Sequence, residues 1–303
     1  MLALCLGDGC EPQLQHMVEA LTTANVETCI LNTAQFPQNL RIHFNAADNQ
    51  YIMKLQHRQY DLGAFGVFYW QRFIPPAHGQ NTTLLANLTS ALSPLFLTHS
   101  HRWFNSLHAV RYHQAKPVQL VAARKLGATI PDTCISNDVQ RIRAFCDSQH
   151  NVIVKPVFGG TYSQSIKRNG KWQSSLCSHL VDEPMTFQSW IEGMDIRSFV
   201  VGERVLSAKI DSAADDYRID TSAMAVKTKV PKAIEALSIR LCRKLGMKWC
   251  AIDWRKTPAG HYVFLEANPC PMFCRFELDT GLPITEALLE AMIKTAGSAA
   301  SQV

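Results

Sequence analysis

The sequence has no apolar stretch approaching the ~20 residues needed to cross a bilayer. Its internal runs, such as Phe199 to Val201 and Leu95 to Leu97, are only a few residues long. No membrane partner is expected. The opening Met1-Leu-Ala-Leu-Cys-Leu6 lacks a basic segment and meets Gly7-Asp8-Gly9 at once, so it reads as a buried first strand rather than a signal peptide. Glycine and proline are sparse, 15 and 14 in 303 residues, and no internal repeat is present. This excludes a collagen-like chain, a low-complexity scaffold and a long disordered protein. Lysine and arginine outnumber acidic residues by only 30 to 25, so no nucleic-acid partner is expected. Of the ten cysteines only Cys270 and Cys274 stand close together, and no second Cys/His pair completes a zinc site. The cysteines are read as reduced thiols of a cytoplasmic protein. The 11 histidines show no metal-ligand spacing. His101, His108 and His113 are read as solvated or core groups, and no Ser/His/Asp or Cys/His arrangement offers a protein nucleophile.

What is present is a chain rich enough in apolar residues, at 47%, to bury a large core in about two domains. Residues 1–105 read as a small α/β domain. Strands are expected at Leu2–Leu6, Val26–Leu31 and Ala64–Trp70, with a helix near Gln13–Ala24 and a hairpin turning at Asn45 to Asn49. The aromatic run Phe65, Phe68, Tyr69, Trp70 and Phe73 is read as strand core, with a peptide-docking strand as the alternative. Residues 106–184 carry a helix over Ala115–Leu126, an N-cap-like Ser136-Asn137-Asp138, and the buried strand Asn151–Pro156. Residues 185–303 alternate strands and helices, with hairpins at Ser198–Ile210 and Trp249–Asn268.

The last hairpin carries the chemistry. With its turn centred on Pro258 and Ala259, Asp253 falls opposite Phe264, and residues 264, 266 and 268 share one face. Asp253, Glu266 and Asn268 then converge, with Glu266 diagonal to Asp253. Two carboxylates and a carboxamide are hard oxygen ligands of the kind Mg²⁺ takes; a solvated polar face is the alternative. Upstream, Lys155 interrupts the apolar strand Val152-Ile-Val-Lys-Pro156, where a cation needs a counter-ion or solvent. The following Gly159-Gly160-Thr161-Tyr162-Ser163 can fold its N–H groups over an anion. Lysine, glycine loop and oxygen cluster together describe a site for a polyphosphate and its metal.

The order Lys116, Lys155-Pro with its glycine loop, Gln188-Ser-Trp-Ile-Glu192, Asp195-Ile-Arg197, Asp253 and Glu266-Ala-Asn268 resembles the ATP-grasp superfamily. Within it the chain is most similar to RimK-like carboxylate–amine ligases, over residues 105 to 295. His101-Arg-Trp-Phe-Asn105, Ile210-Asp-Ser212, Tyr217-Arg-Ile-Asp220 and Phe276 to Ile284 are similar to segments of the microviridin-type (graspetide) peptide ligases. Those enzymes join acidic side chains of a precursor peptide to Lys, Ser or Thr side chains.

The resemblance implies an ATP-grasp fold behind the N-terminal α/β domain, and an ADP-forming ligase working through an acyl phosphate. Lys116, Lys155, Gly159 and Gly160 would hold the ATP phosphates. Gln188, Trp190 and Ile191 would flank the adenine, and Glu192 the ribose. Asp253, Glu266 and Asn268 would hold Mg²⁺, with Mn²⁺ as a substitute, and Arg197 and Arg218 would face the transferred phosphoryl group. Arg197 has a plainer alternative as a salt-bridge partner of Asp195. Expected substrates are an acidic peptide or protein, cross-linked or extended by an amino acid, or else small amino acids or metabolites. A non-catalytic ATP-binding module is the reading of another class. Relatives that form dimers or tetramers leave a homo-oligomer open. Departures from the family are Ser163 in place of a third loop glycine, Pro269-Cys-Pro-Met-Phe-Cys274 after Asn268, and Thr221-Ser222.

Overall fold

The computed structural model of the chain describes residues 1–48, 50–76, 82–159, 163–172, 183–212, 217 and 220–300. Mixed α/β structure runs through all of it, in four sheets. The first region contains β1 (Leu2–Leu6), α1 (Pro12–Thr23), β2 (Glu27–Leu31), β3 (Leu40–Asn45), β4 (Gln50–Leu55), β5 (Arg58–Asp61), β6 (Val67–Trp70), α2 (Thr82–Ala91) and β7 (Trp103–Phe104). Strands β2-β1-β6-β7 form a wholly parallel sheet. Its central strands are buried on both faces and therefore read as unbroken apolar runs. Phe65, Phe68, Tyr69 and Trp70 are core residues, and β6 lies inside the sheet, which removes the docking-strand alternative. A separate antiparallel sheet, β3-β4-β5, extends the expected hairpin by one strand.

The middle of the chain holds α3 (Leu107–Gln114), α4 (Lys116–Lys125), β8 (Thr133–Ser136), α5 (Val139–Ser148), β9 (Val152–Pro156), β10 (Gln164–Arg168), β11 (Lys171–Trp172) and β12 (Met185–Ser189). Asp138 caps α5 by accepting from the N–H groups of Gln140 and Arg141, the role its place in the sequence predicts. The sheet β11-β10-β9-β12-β8 closes over a small core of Ile142, Cys146, Val152, Val154, Ile166 and Phe187. The helix expected over Ala115–Leu126 is α4, and a second helix, α3, precedes it.

The last region contains β13 (Met194–Val201), β14 (Arg204–Asp211), β15 (Met224–Thr228), α6 (Lys232–Lys244), β16 (Trp249–Lys256), β17 (Tyr262–Asn268), α7 (Cys274–Thr280) and α8 (Ile284–Ala300). Its antiparallel sheet, β15-β14-β13-β16-β17, is covered on both faces. On one side Phe199, Val201, Trp249 and Ala251 share a core with α8 and the N-terminal sheet; on the other, Val200, Cys250 and Ile252 meet α6. Strands β13 and β16 are therefore rigid platforms, and polar side chains at their open ends are held in fixed places.

The hairpin β16–β17 departs from the expected register in two places. Its connection is Pro258-Ala259-Gly260, with Gly260 at φ +84°, so Lys256 pairs with Tyr262. A β-bulge then leaves Leu265 as an extra residue, so Trp254 pairs with Phe264 but Asp253 pairs directly with Glu266. Each irregularity shifts the register by one residue. Their sum is two, which restores the face. Asp253 and Glu266 therefore still meet, as direct rather than diagonal partners. Phe264, expected on their face, turns inward and is fully buried.

Candidate active site

A cleft opens between the sheet of β9 and β12 and the sheet of β13, β16 and β17. Lys116, Lys155, Gly159, Gln188, Trp190, Ile191, Arg197, Asp253 and Glu266 all line it. Antiparallel pairing sets Asp195 opposite Arg255 and Arg197 opposite Asp253. Arg255 reaches Asp195 at 3.2 Å and also donates to the Gly193 carbonyl. Arg197 grips Asp253 through Nε and Nη2, both at 2.7 Å, in a bidentate pair. The plainer reading of Arg197 as a partner of Asp195 is thereby corrected: Asp195 belongs to Arg255. Phe276 and Tyr217 stack against the Arg197 guanidinium, with centroids at 5.3 and 5.6 Å. Burial opposes the charge on Arg197, but Asp253 more than offsets this and keeps it protonated.

Glu266, next in this line of charges, is met by Lys116, whose Nζ donates to Oε2. Burial alone would raise the Glu266 carboxyl; Lys116, with help from His113 and Lys155, pulls it down to about 2. Lys116 is the first residue of α4, and Gln119 one turn later fixes that helix. The buried Gln119 carboxamide donates to the Ala267 carbonyl at 2.8 Å and accepts from the Ala267 N–H at 2.9 Å. It satisfies the outer edge of β17 as a neighbouring strand would.

Across the cleft, Lys155 donates to Gln188 Oε1 at 3.0 Å, and Gln188 donates to Thr133 Oγ at 2.9 Å. Gln188 is buried, so its side chain orients Lys155. The Trp190 backbone N–H is engaged by the Asn151 carbonyl, whereas its buried indole N–H has no partner among the described residues. Glu192 is exposed and does not line the cleft. Asn268 lies on the Glu266 face of β17, but its Oδ1 accepts from the Cys270 N–H at 2.9 Å, and it too stays outside the cleft lining. Gly160 and Arg218 lie outside the described residues.

A RimK-like ATP-grasp domain matches residues 112–292. The chain belongs to the RimK-like ATP-grasp family. The fold extends the likeness to the N-terminal region. The macrocyclase MdnC from Microcystis aeruginosa, bound with its precursor peptide MdnA, superposes with a TM-score of 0.81 at 21% identity, covering 97% of this chain and 99% of that one. The ATP-grasp ligase PsnB, complexed with a phosphomimetic variant of its minimal precursor, Mg and ADP, gives 0.82 at 20%, covering 97% and 98%. By sequence, a probable alpha-L-glutamate ligase of Stenotrophomonas maltophilia is 29% identical over 106 residues, which is 34% of this chain. The match spans only 36% of that relative's length.

Family membership leaves several residues of this site for the structure to reveal. Arg255 follows Asp253 by two, and the second Asp-x-Arg triplet, read antiparallel to Asp195-x-Arg197, was a usable signal for both ion pairs. His113 comes beside Glu266 and Asp253, with burial lowering its pKa and those carboxylates opposing that shift. It lies near the end of α3, three residues before Lys116 opens α4, and the break between the two helices at Ala115 leaves no helical spacing to link the two residues in sequence. Asn105 acts from outside the cleft. Fully buried, it donates to the carbonyls of Trp249 and Pro269 at 2.8 Å and accepts from the Lys248 N–H at 2.6 Å. It thereby ties β16 to the segment that follows Asn268.

Proposed function

We propose that the chain is an ATP-dependent carboxylate–amine or carboxylate–hydroxyl ligase that activates an acidic side chain of a peptide or protein as an acyl phosphate. The observation that carries this reading is the cleft itself, where two lysines face a directly paired Asp253–Glu266 and its arginine. The donor set fits a divalent cation: the Asp253 and Glu266 carboxylates are adjacent in register and balanced by Arg197 and Lys116. Asp253, Glu266 and Asn268 would hold Mg²⁺, or Mn²⁺ in its place. The ion would supply neutralisation of phosphate charge.

Lys155, oriented by Gln188, and Lys116 would hold phosphate oxygens, with backbone N–H groups of Gly159 and Gly160 beside them. Because the Trp190 N–H is already bonded to Asn151, adenine would be read by the Trp190 carbonyl and the Ile191 N–H. The exposed Glu192 remains the ribose candidate. Arg197 would stabilise charge on the phosphoryl group in flight, with Arg218 as a second donor. The substrate carboxylate attacks the γ-phosphorus, ADP leaves, and the amine or hydroxyl then attacks the acyl carbon and expels phosphate. No protein nucleophile enters this sequence. Residues 1–105, 106–184 and 185–303 are proposed as its three structural units, and the nine free thiols among the described residues favour a reducing, cytoplasmic setting. A homo-oligomer is compatible with this reading.

The peptide reading is supported by structural similarity over nearly the whole chain to MdnC and PsnB, both solved with precursors. A second reading, ligation of small amino acids, draws on the resemblance to a probable glutamate ligase. ADP release with MgATP separates them. Release that requires an acidic peptide and is lost in Lys155→Ala and Glu266→Ala supports the first; release with free glutamate and a small acceptor supports the second. Turnover unchanged in Glu266→Ala overturns the metal assignment in both.

A further inference from the structure

A second cavity, of about 470 Å³, lies at the opposite end of β13 and β16 from the ion pairs and shares no lining residue with the cleft. His101 and Phe104 from the N-terminal region, Arg243 at the end of α6, Met247, Lys248 and Lys294 of α8 contribute to its walls. We propose that this cavity binds a small organic anion, a carboxylate carried on an apolar body.

Lys248 carries the inference. Its ammonium is half-buried, and its hydrogen bond is to a neutral acceptor, the His101 carbonyl at 2.7 Å. No carboxylate pairs with it among the described residues, and burial pushes its pKa down to about 8. A desolvated cation without a counter-ion is an unfavourable arrangement that an incoming anion relieves. Arg243 on the rim is already neutralised by Glu203, and Lys294 of the facing helix lines the same cavity. Burial and the neighbouring Arg102 and Lys248 lower the His101 pKa, leaving a neutral ring able to hydrogen-bond a carboxylate. The buried Phe104 and Met247 provide apolar wall for the body of the ligand. Mixed apolar walls with one or two placed charges are how small-molecule sites select amphipathic anions. The inference stands whether or not the ligase reading holds, because it uses none of the cleft.

The test is calorimetric titration of the full chain with benzoate, and with benzyl alcohol as its uncharged counterpart, at fixed ionic strength. Saturable benzoate binding is expected, with the alcohol weaker by roughly tenfold or more. Lys248→Met should weaken benzoate by a similar factor, Lys248→Arg should keep most of the affinity, and Lys155→Ala in the cleft should leave it unchanged. Absent benzoate binding, equal affinity for the alcohol, indifference to Lys248→Met, or loss in Lys155→Ala would each overturn the site. If Lys248→Met does not fold, acetylation of Lys248 in the native chain decides: benzoate must slow it, and an unchanged rate refutes the proposal.

Discussion

Replacing Lys116 with Met should change not only the stability of the protein but the way that stability depends on pH. In the native fold the Glu266 carboxyl is held at about 2, against an ordinary value of 4.5. A carboxylate whose folded pKa is depressed stabilises the fold above its unfolded value, and that contribution fades as pH falls toward the folded one. At 1.36 kcal/mol per pH unit, the interval between 4.5 and 2 corresponds to about 3 kcal/mol. The contribution is fully present at pH 7 and decays below about 4.5. Lys116 is the main cause lowering this pKa, and burial pushes the other way. The variant should therefore be less stable by about 3 kcal/mol at pH 7, and the gap should narrow steadily on acidification. Urea unfolding followed by tryptophan fluorescence at pH values from 7 down to 3 measures it, with Glu266→Gln as the background in which Lys116→Met loses its pH-dependent effect. Parallel stability curves for the native and variant proteins would refute the coupling.

Other substitutions test the same framework from different sides. Asn105→Ala removes acceptor and donor from buried backbone groups of Lys248, Trp249 and Pro269. Thermal unfolding should show a loss of roughly 3 kcal/mol or more, at about 1–3 kcal/mol per stranded group; a loss under 1 kcal/mol would contradict the strap role. Gly193→Ala places a Cβ onto the Lys256 carbonyl at a backbone φ of +148°, so it should lower the melting temperature by several degrees and weaken nucleotide binding measured by fluorescence. Arg197→Met should abolish ADP formation and destabilise the fold by about 3 kcal/mol, because Asp253 is left buried without its partner. Adding Asp253→Leu should recover most of that stability without restoring turnover, a pattern that denaturation and ADP assays can separate.

How much of this was legible in the sequence depends on whether the information was local. Lys155 stood out because a lysine within Val152-Ile-Val-Lys-Pro156 violates the apolar pattern around it, and the structure shows what tolerates it: an open cleft and Gln188. The pairing of Asp253 with Glu266 was readable because faces alternate along strands, and a register error of two leaves the face unchanged. An error of one would have put the two carboxylates on opposite faces of the sheet. Phe264 shows the limit of that reasoning, since the bulge at Leu265 separates it from Glu266 by changing which face it occupies. No propensity marks a bulge; it follows from packing Phe264 and Ala267 into the core while Glu266 faces the cleft.

The groups that went unread act at a distance. Gln119 and Asn105 carry no signal in composition or period, because each works by substituting a side-chain amide for a missing strand or turn, more than 140 residues away in sequence. The two Asp-x-Arg triplets are an intermediate case. Each alone reads as a surface ion pair, and only antiparallel pairing of β13 with β16 converts them into Asp195–Arg255 and Arg197–Asp253. That exchange of partners also gives the site its chemical character. A pair within one triplet would be a flexible surface contact worth little. A pair across two strands buried on both faces holds the arginine in place. It fixes Arg197 against Asp253 at the wall of the cleft, the position from which the proposed mechanism has it meet the phosphoryl group.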